Sequence, residues 1–279
     1  MQPEDFKEIL YQKDDAGIVT LTLNTPWRKN AISGVTGVEL WWAAHLFQKD
    51  DTAHAMILTG AKDPGSTDPA GEAFSSGGYF TPNAADIDPE ILDQIDPKDI
   101  AAKRLTEKMW YIDKPVVAAI NGLAIGMGFT LPLSCADLIY MSEHAWIRLP
   151  FVRLGILPEL ASTFLLPRLV GMQRAKEIML FGEDIPAQKA YENGLVNKVL
   201  PHDELLPYAR ETVLKLIPPG GPAMAVKLTK RALHRQLCSE ITRALDEENI
   251  GLNVAFKSED FAEGVKARIE KRTPVYKGR

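Results

Sequence analysis

Two glycine turns and one glutamate are the residues whose types and spacing point to chemistry. Phe74-Ser75-Ser76-Gly77-Gly78 follows the apolar run Ala55–Leu58, and Asn121-Gly122-Leu123-Ala124-Ile125-Gly126-Met127-Gly128 follows Val116–Ile120. One reading is structural: glycine permits tight turns and close backbone approach. The other is chemical. Two exposed peptide N–H groups can converge on one carbonyl oxygen, with a following helix N-terminus adding positive potential. One such donor contributes about 2.7–4 kcal/mol of transition-state stabilisation in acyl chemistry. Pro158-Glu159 supplies a carboxylate nearby in the sequence. A glutamate after proline at a helix start is also ordinary first-turn decoration. Helix polarity keeps such a carboxylate ionised, whereas an apolar pocket raises its pKa, and the sequence leaves the balance open.

Other catalytic signatures are absent. The chain has no G-x-x-x-x-G-K-[ST], G-x-S-x-G or H-E-x-x-H. Gly126-Met127-Gly128 is not a dinucleotide fingerprint, because Pro132 falls where the helix would have to continue. His45, His54, His144, His202 and His234 show no ligand spacing, and Cys135 and Cys238 form neither a zinc set nor a disulfide framework. No metal is expected. Glu72 and Asp86 read as solvated loop charges.

The elements that must position these residues alternate. Ile18–Leu23 has strand periodicity, Gly34–Phe47 helical spacing, and Ala55–Leu58 and Val116–Ile120 are short buried strands. Residues 81–99 read as a loop or lid, Ile100–Ile112 as a helix, and Ala124–Ala136 as a turn into a helix. Strands at Leu138–Met141 and Trp146–Leu149 precede helices near Glu159–Leu169, Ala175–Phe181 and Ala187–Asn193. After about residue 201 the pattern is helical, over 204–217, 223–237 and 239–256. This predicts an α/β core over 1–200 and a helical section over 201–279.

Composition narrows the classes further. The 279 residues are 46% hydrophobic and carry a formal net charge of −5, which suits a globular protein and argues against a nucleic-acid partner. Val116–Leu133 is long and uncharged enough to resemble a membrane span, but its glycines and Pro132 read as core. The acidic N-terminus lacks an apolar signal region, and the cysteine usage fits a reducing compartment; a cytoplasmic protein is expected.

Taken together, the motifs resemble the crotonase superfamily, the enoyl-CoA hydratase/isomerase family, over nearly the whole chain. Ile18 to Pro26 with Asn30-Ala31 is similar to the family's opening strand and turn. Further similarity lies in Phe74–Gly78, Lys114–Gly122, Cys135-Ala136-Asp137, Leu154–Glu159, Leu166–Gly171 and Ala190–Asn197. The resemblance implies a spiral of strand-strand-helix units with a helical C-terminal oligomerisation section, assembling as a homotrimer or dimer of trimers. It implies an acyl-CoA substrate, a place in fatty acid metabolism, and no cofactor beyond the CoA of the thioester.

It further implies that the N–H groups of Gly78 and Met127 form an oxyanion hole for the thioester oxygen. Met127 departs from the family's usual glycine, and Tyr79 stands where aspartate is frequent. The two glutamates that hydrate enoyl-CoA in the family correspond to Thr130 and Phe151, neither of them acidic. Pro158-Glu159 with Ser162-Thr163 resembles the isomerase branch, in which a single glutamate moves the proton. Enoyl-CoA isomerisation by Glu159 is therefore the expectation. Hydration, hydrolysis or lyase chemistry with a rearranged acid, or a non-catalytic acyl-CoA-binding protein, are the alternatives. Arg28, Ala31, Ser76 and Lys277 are implied CoA contacts, with solvated charges at Arg28 and Lys277 and a plain turn at Ser76 as the other reading. Thr130 is an implied substrate contact, while Tyr79, Phe80, Trp146, Phe151 and Phe164 either shape an acyl pocket or pack the core. Asp137 resembles a structural position.

Overall fold

The computed structural model describes residues 1–79 and 87–279. Phe80, Asp86 and the start of the expected lid at 81–99 lie outside the described residues. The chain opens with β1 (Ile9–Lys13) and β2 (Ile18–Leu23), then α1 (Gly34–Lys49) and β3 (Ala55–Gly60). Next come β4 (Ala73–Ser75), the single turn α2 (Pro89–Leu92) and α3 (Lys103–Trp110). The centre of the fold is β5 (Val116–Ile120), β6 (Leu123–Ile125), α4 (Met127–Cys135), β7 (Leu138–Ser142) and β8 (Trp146–Arg148). Helices α5 (Ser162–Val170) and α6 (Met172–Phe181) follow, then β9 (Ile185–Pro186), α7 (Ala187–Glu192) and β10 (Lys198–Leu200). Four helices complete the chain: α8 (Leu205–Leu214), α9 (Ala223–Arg235), α10 (Cys238–Ala255) and α11 (Glu259–Glu270).

From β3 to β8, successive strands alternate between two sheets. β1-β2-β3-β5-β7-β10 form one sheet and β4-β6-β8-β9 the other. Each of the pairs β3/β4, β5/β6 and β7/β8 steps from the larger sheet to the smaller, and the repetition of that step makes the spiral. Pairing is parallel throughout except at the edges, where β1 runs antiparallel to β2 and β9 to β8. The register Val117↔Leu138 and Met56↔Val116 places β5 in the middle of the larger sheet.

The uninterrupted apolar sequence of β5 follows from burial on both faces. Val116, Ala118 and Ile120 point into the main core with Leu21, Leu58 and Phe74, while Val117 and Ala119 meet Ile57, Leu205 and Val213 under α8. The membrane-like run at 116–133 is thus a core strand, a turn and a buried helix, and among the described residues no helix is long and apolar enough to cross a membrane. β1, β4, β6, β9, β10, α2 and α11 were not anticipated from the sequence.

Candidate active site

The two glycine turns pack against each other. Gly77 has φ +92°, and a Cβ placed on it would lie 2.4 Å from the Ile125 carbonyl oxygen and 3.7 Å from the Met127 nitrogen. A Cβ on Gly128 would lie 2.4 Å from the carbonyl oxygen of Ser75. Only glycine permits this approach. The orientation of each amide follows from its neighbours. Ile32 N–H donates to Gly77 O and Tyr79 N–H to Ile32 O, so the intervening Gly78 N–H faces away from Ile32. Met127 is the first residue of α4, and its N–H precedes the intrahelical ladder. Gly78 and Met127 line one cavity of about 410 Å3.

Glu159 lines the same cavity, and only 8% of it is exposed. It is not first-turn decoration of α5. Leu160 and Ala161 intervene, both left-handed at φ 56° and 58°, and the helix begins at Ser162. Consecutive non-glycine residues in this region cost on the order of 1–3 kcal/mol each. Their strain marks a geometry that the surroundings enforce. The Thr130 hydroxyl donates to Glu159 Oε1 at 2.7 Å. Burial pushes the carboxyl up to about 8, opposed by that hydrogen bond and reinforced by the charge of Glu248. Of the two opposing influences the sequence left open, desolvation prevails.

Ser76 and Tyr79 also line the cavity, as does Phe151, whose ring lies beside Gly126. Ala31 is buried and donates its N–H to Arg28 O, without reaching the cavity wall. Thr130 likewise touches the site through Glu159 rather than through the wall. The Arg28 guanidinium is committed to Glu8 at 2.6 Å and lies over the Tyr79 ring, 4.6 Å from its centroid. Lys277 is exposed on the C-terminal tail and pairs with Glu259 at 2.9 Å, away from the cavity. Neither Trp146 nor Phe164 lines it.

Sequence reasoning missed Trp41 and Trp42 of α1, which form part of the cavity wall. Trp42 is held by its indole N–H donating to Gln94 Oε1 at 2.7 Å. Their adjacency inside a helical run looked like packing, and no local signal separates the two uses. Glu72 corrects an expectation, because it is 2% exposed rather than solvated. The Asn121 amide donates to Glu72 Oε2 at 3.1 Å, while Asn121 Oδ1 accepts from Gly60 N–H at 3.1 Å. This buried knot ties the segments that lead into both glycine turns. Asp137 holds the Val116 N–H and the Lys230 ammonium, each at 2.7 Å. At the far end of α4, the buried Cys135 thiol is pushed up to about 12 by desolvation. Among the described residues no group of His, Cys, Asp and Glu could hold a metal ion.

Two amides and one high-pKa carboxylate around an apolar cavity form an arrangement that can stabilise an enolate and move a proton. Comparison with known proteins gives the following likenesses. The family model described as enoyl-CoA hydratase/isomerase matches residues 13–279. The chain is 29% identical to the 1,2-epoxyphenylacetyl-CoA isomerase of Escherichia coli K12, over 98% of this chain and 99% of that one. It is 31% identical to the short-chain-enoyl-CoA hydratase of Clostridium acetobutylicum, over 96% and 97%. The crystal structure of enoyl-CoA hydratase/isomerase from Pseudoalteromonas atlantica T6c superposes with a TM-score of 0.81 at 27% identity, over 97% of this chain and all of that one.

Proposed function

The chain belongs to the enoyl-CoA hydratase/isomerase family of acyl-CoA-processing enzymes, and on that premise we propose that it shifts the double bond of an enoyl-CoA, with Glu159 as its single acid/base. The observation that carries this reading is the position of Glu159. It lines the cavity that Gly78 and Met127 share, and it is bonded to Thr130, three residues into the helix that Met127 begins.

The thioester carbonyl of a 3-enoyl-CoA accepts hydrogen bonds from the N–H groups of Gly78 and Met127. The Glu159 carboxylate removes a proton from C2, and the C–H electron pair delocalises onto the thioester oxygen as a dienolate. Charge develops where the two amides point, so their interaction strengthens as the barrier is climbed. Protonated Glu159 then returns the proton to C4, the double bond settles between C2 and C3, and the carboxylate is regenerated. A base with a pKa near 8 is stronger than an ordinary carboxylate, which suits removal of a carbon-bound proton. Hydration by the family's usual pair of acids is disfavoured, because Thr130 and Phe151 occupy those two positions and the Phe151 ring is part of the cavity wall.

The reading includes a CoA thioester as substrate, no separate cofactor, and assembly as a homotrimer or dimer of trimers. A panel of saturated, 2-enoyl and 3-enoyl CoA esters tests it, followed by product mass and absorbance. Unchanged mass with a migrated double bond is the expected result. A mass gain of water would instead indicate hydration, and binding without conversion of any ester would indicate a non-catalytic acyl-CoA binder.

A further inference from the structure

Glu159 hangs on a turn whose conformation its own residues do not favour, which raises the question of what holds it. The answer lies 89 residues downstream in sequence, in α10. Glu248 is 1% exposed and makes three contacts to the segment just after Glu159. Its Oε2 accepts from Ala161 N–H at 2.8 Å, and its Oε1 accepts from Thr163 N–H at 3.0 Å and from the Thr163 hydroxyl at 2.7 Å. The next residue braces the facing wall: Asn249 Oδ1 accepts from Ala101 N–H at 2.8 Å, and Leu160 N–H donates to Ala101 O at 3.2 Å. Glu248 itself does not line the cavity.

We propose that Glu248 is the positioning residue of Glu159, clamping the left-handed turn that presents this acid to the cavity. The proposal rests on the isomerase reading of Glu159. The Thr130 hydroxyl from α4 bonds Glu159, and the charge of Glu248 from α10 acts on it. Facing Glu248 are Thr163 and the Ala161 amide. In the neighbouring loop the oxygens of Asp99 are occupied by the N–H groups of Lys103 and Arg104 and by the Asn249 amide. On the preceding turn of α10, Asp246 is paired with Lys103. Burial pushes Glu248 up to about 7, against its three hydrogen bonds, and its charge adds to the upward push on Glu159.

The test compares the pH profile of isomerisation for the intact enzyme, Glu248→Gln, Thr163→Val and Glu159→Gln, using a 3-enoyl-CoA that the unmodified enzyme converts. Glu248→Gln keeps the size of the side chain and removes its charge. Its kcat is expected to fall at least roughly tenfold with KM little changed, the consequence of misplacing a proton-transfer group. The alkaline-rising limb of its profile is expected to shift to lower pH, because a like charge is gone. A purely structural role would leave that midpoint in place. Thr163→Val gives a second reading if Glu248→Gln does not fold: a lowered kcat at constant KM is expected, and an unchanged kcat overturns the proposal. Wild-type kcat and midpoint in Glu248→Gln overturn it as well. An inactive Glu159→Gln beside a wild-type-like Glu248→Gln defeats this inference alone, whereas an active Glu159→Gln defeats the functional reading and this inference with it.

Discussion

Glu159 is the residue at which burial, hydrogen bonding and chemistry meet. With its carboxyl pushed up to about 8, the basic form becomes populated only as pH climbs, so kcat/KM should rise about tenfold per pH unit below that value and level off above it. Glu159→Gln should reduce the plateau kcat at least about 100-fold, the scale of a lost general base, with the deficit narrowing toward acid pH; initial rates across pH 6–10 (about two units on each side of the midpoint) check both statements. The same group has a stability signature. Its folded-state value lies above its ordinary 4.5, so the stabilisation is complete below that pH and is lost as pH rises through about 8. Denaturant melts should therefore show stability declining between those limits, on the order of a few kcal/mol at most, and Glu159→Gln should flatten the decline. That a carboxylate stands after Pro158 was legible in the sequence. Its placement was not, because nothing in Leu160-Ala161 announces two left-handed residues, which glycine or asparagine normally marks. Glu72 was misjudged for a related reason: its loop sequence is polar, and the partner that draws it inward, Asn121, is 49 residues away.

At the scale of elements, what matters is how β4 and β6 deliver two amides to one place. Each strand has three residues, so neither holds its turn rigidly alone; the turns lean on each other instead. Gly128→Ala would set a methyl group 2.4 Å from the Ser75 carbonyl oxygen and force the turns apart. A kcat loss of about 100- to 1,000-fold is expected, the effect of disabling one oxyanion donor, and steady-state kinetics on purified folded protein would read it. Asn121→Ala should act on stability instead, costing about 1–3 kcal/mol by leaving Glu72 and the Gly60 amide without their buried partner; the midpoint of urea unfolding measures that. Longer elements declared themselves through periodicity, as Ile18–Leu23 and Val116–Ile120 did with their bounds intact. β4, β9 and β10 did not, since two or three residues carry no period. α11 was hidden by its charge, and the Ser258 side chain capping the Phe261 N–H was its available signal.

At the scale of the molecule, the C-terminal helices leave apolar side chains in solvent. Met224 and Leu228 of α9, one turn apart on the same face, are 69% and 52% exposed. If this face joins copies of the chain, sedimentation should show a trimer or a dimer of trimers, and Leu228→Glu should shift the population to smaller species. A single sequence exhibits such a face only as unspent helical hydrophobicity, indistinguishable from core until the fold shows which side is covered. One further consequence concerns α4, which begins with the Met127 amide and ends with the Cys135 thiol. That sulfur is sealed in and scarcely ionised at neutral pH, whereas Cys238 is partly accessible. A thiol-directed dye should therefore label the two in separate phases, fast at Cys238 and slow at Cys135. The slow phase becomes a clock for α4. It times how often the segment bearing the Met127 amide loosens from its bed, and acyl-CoA seated in the cavity should make that clock run slower.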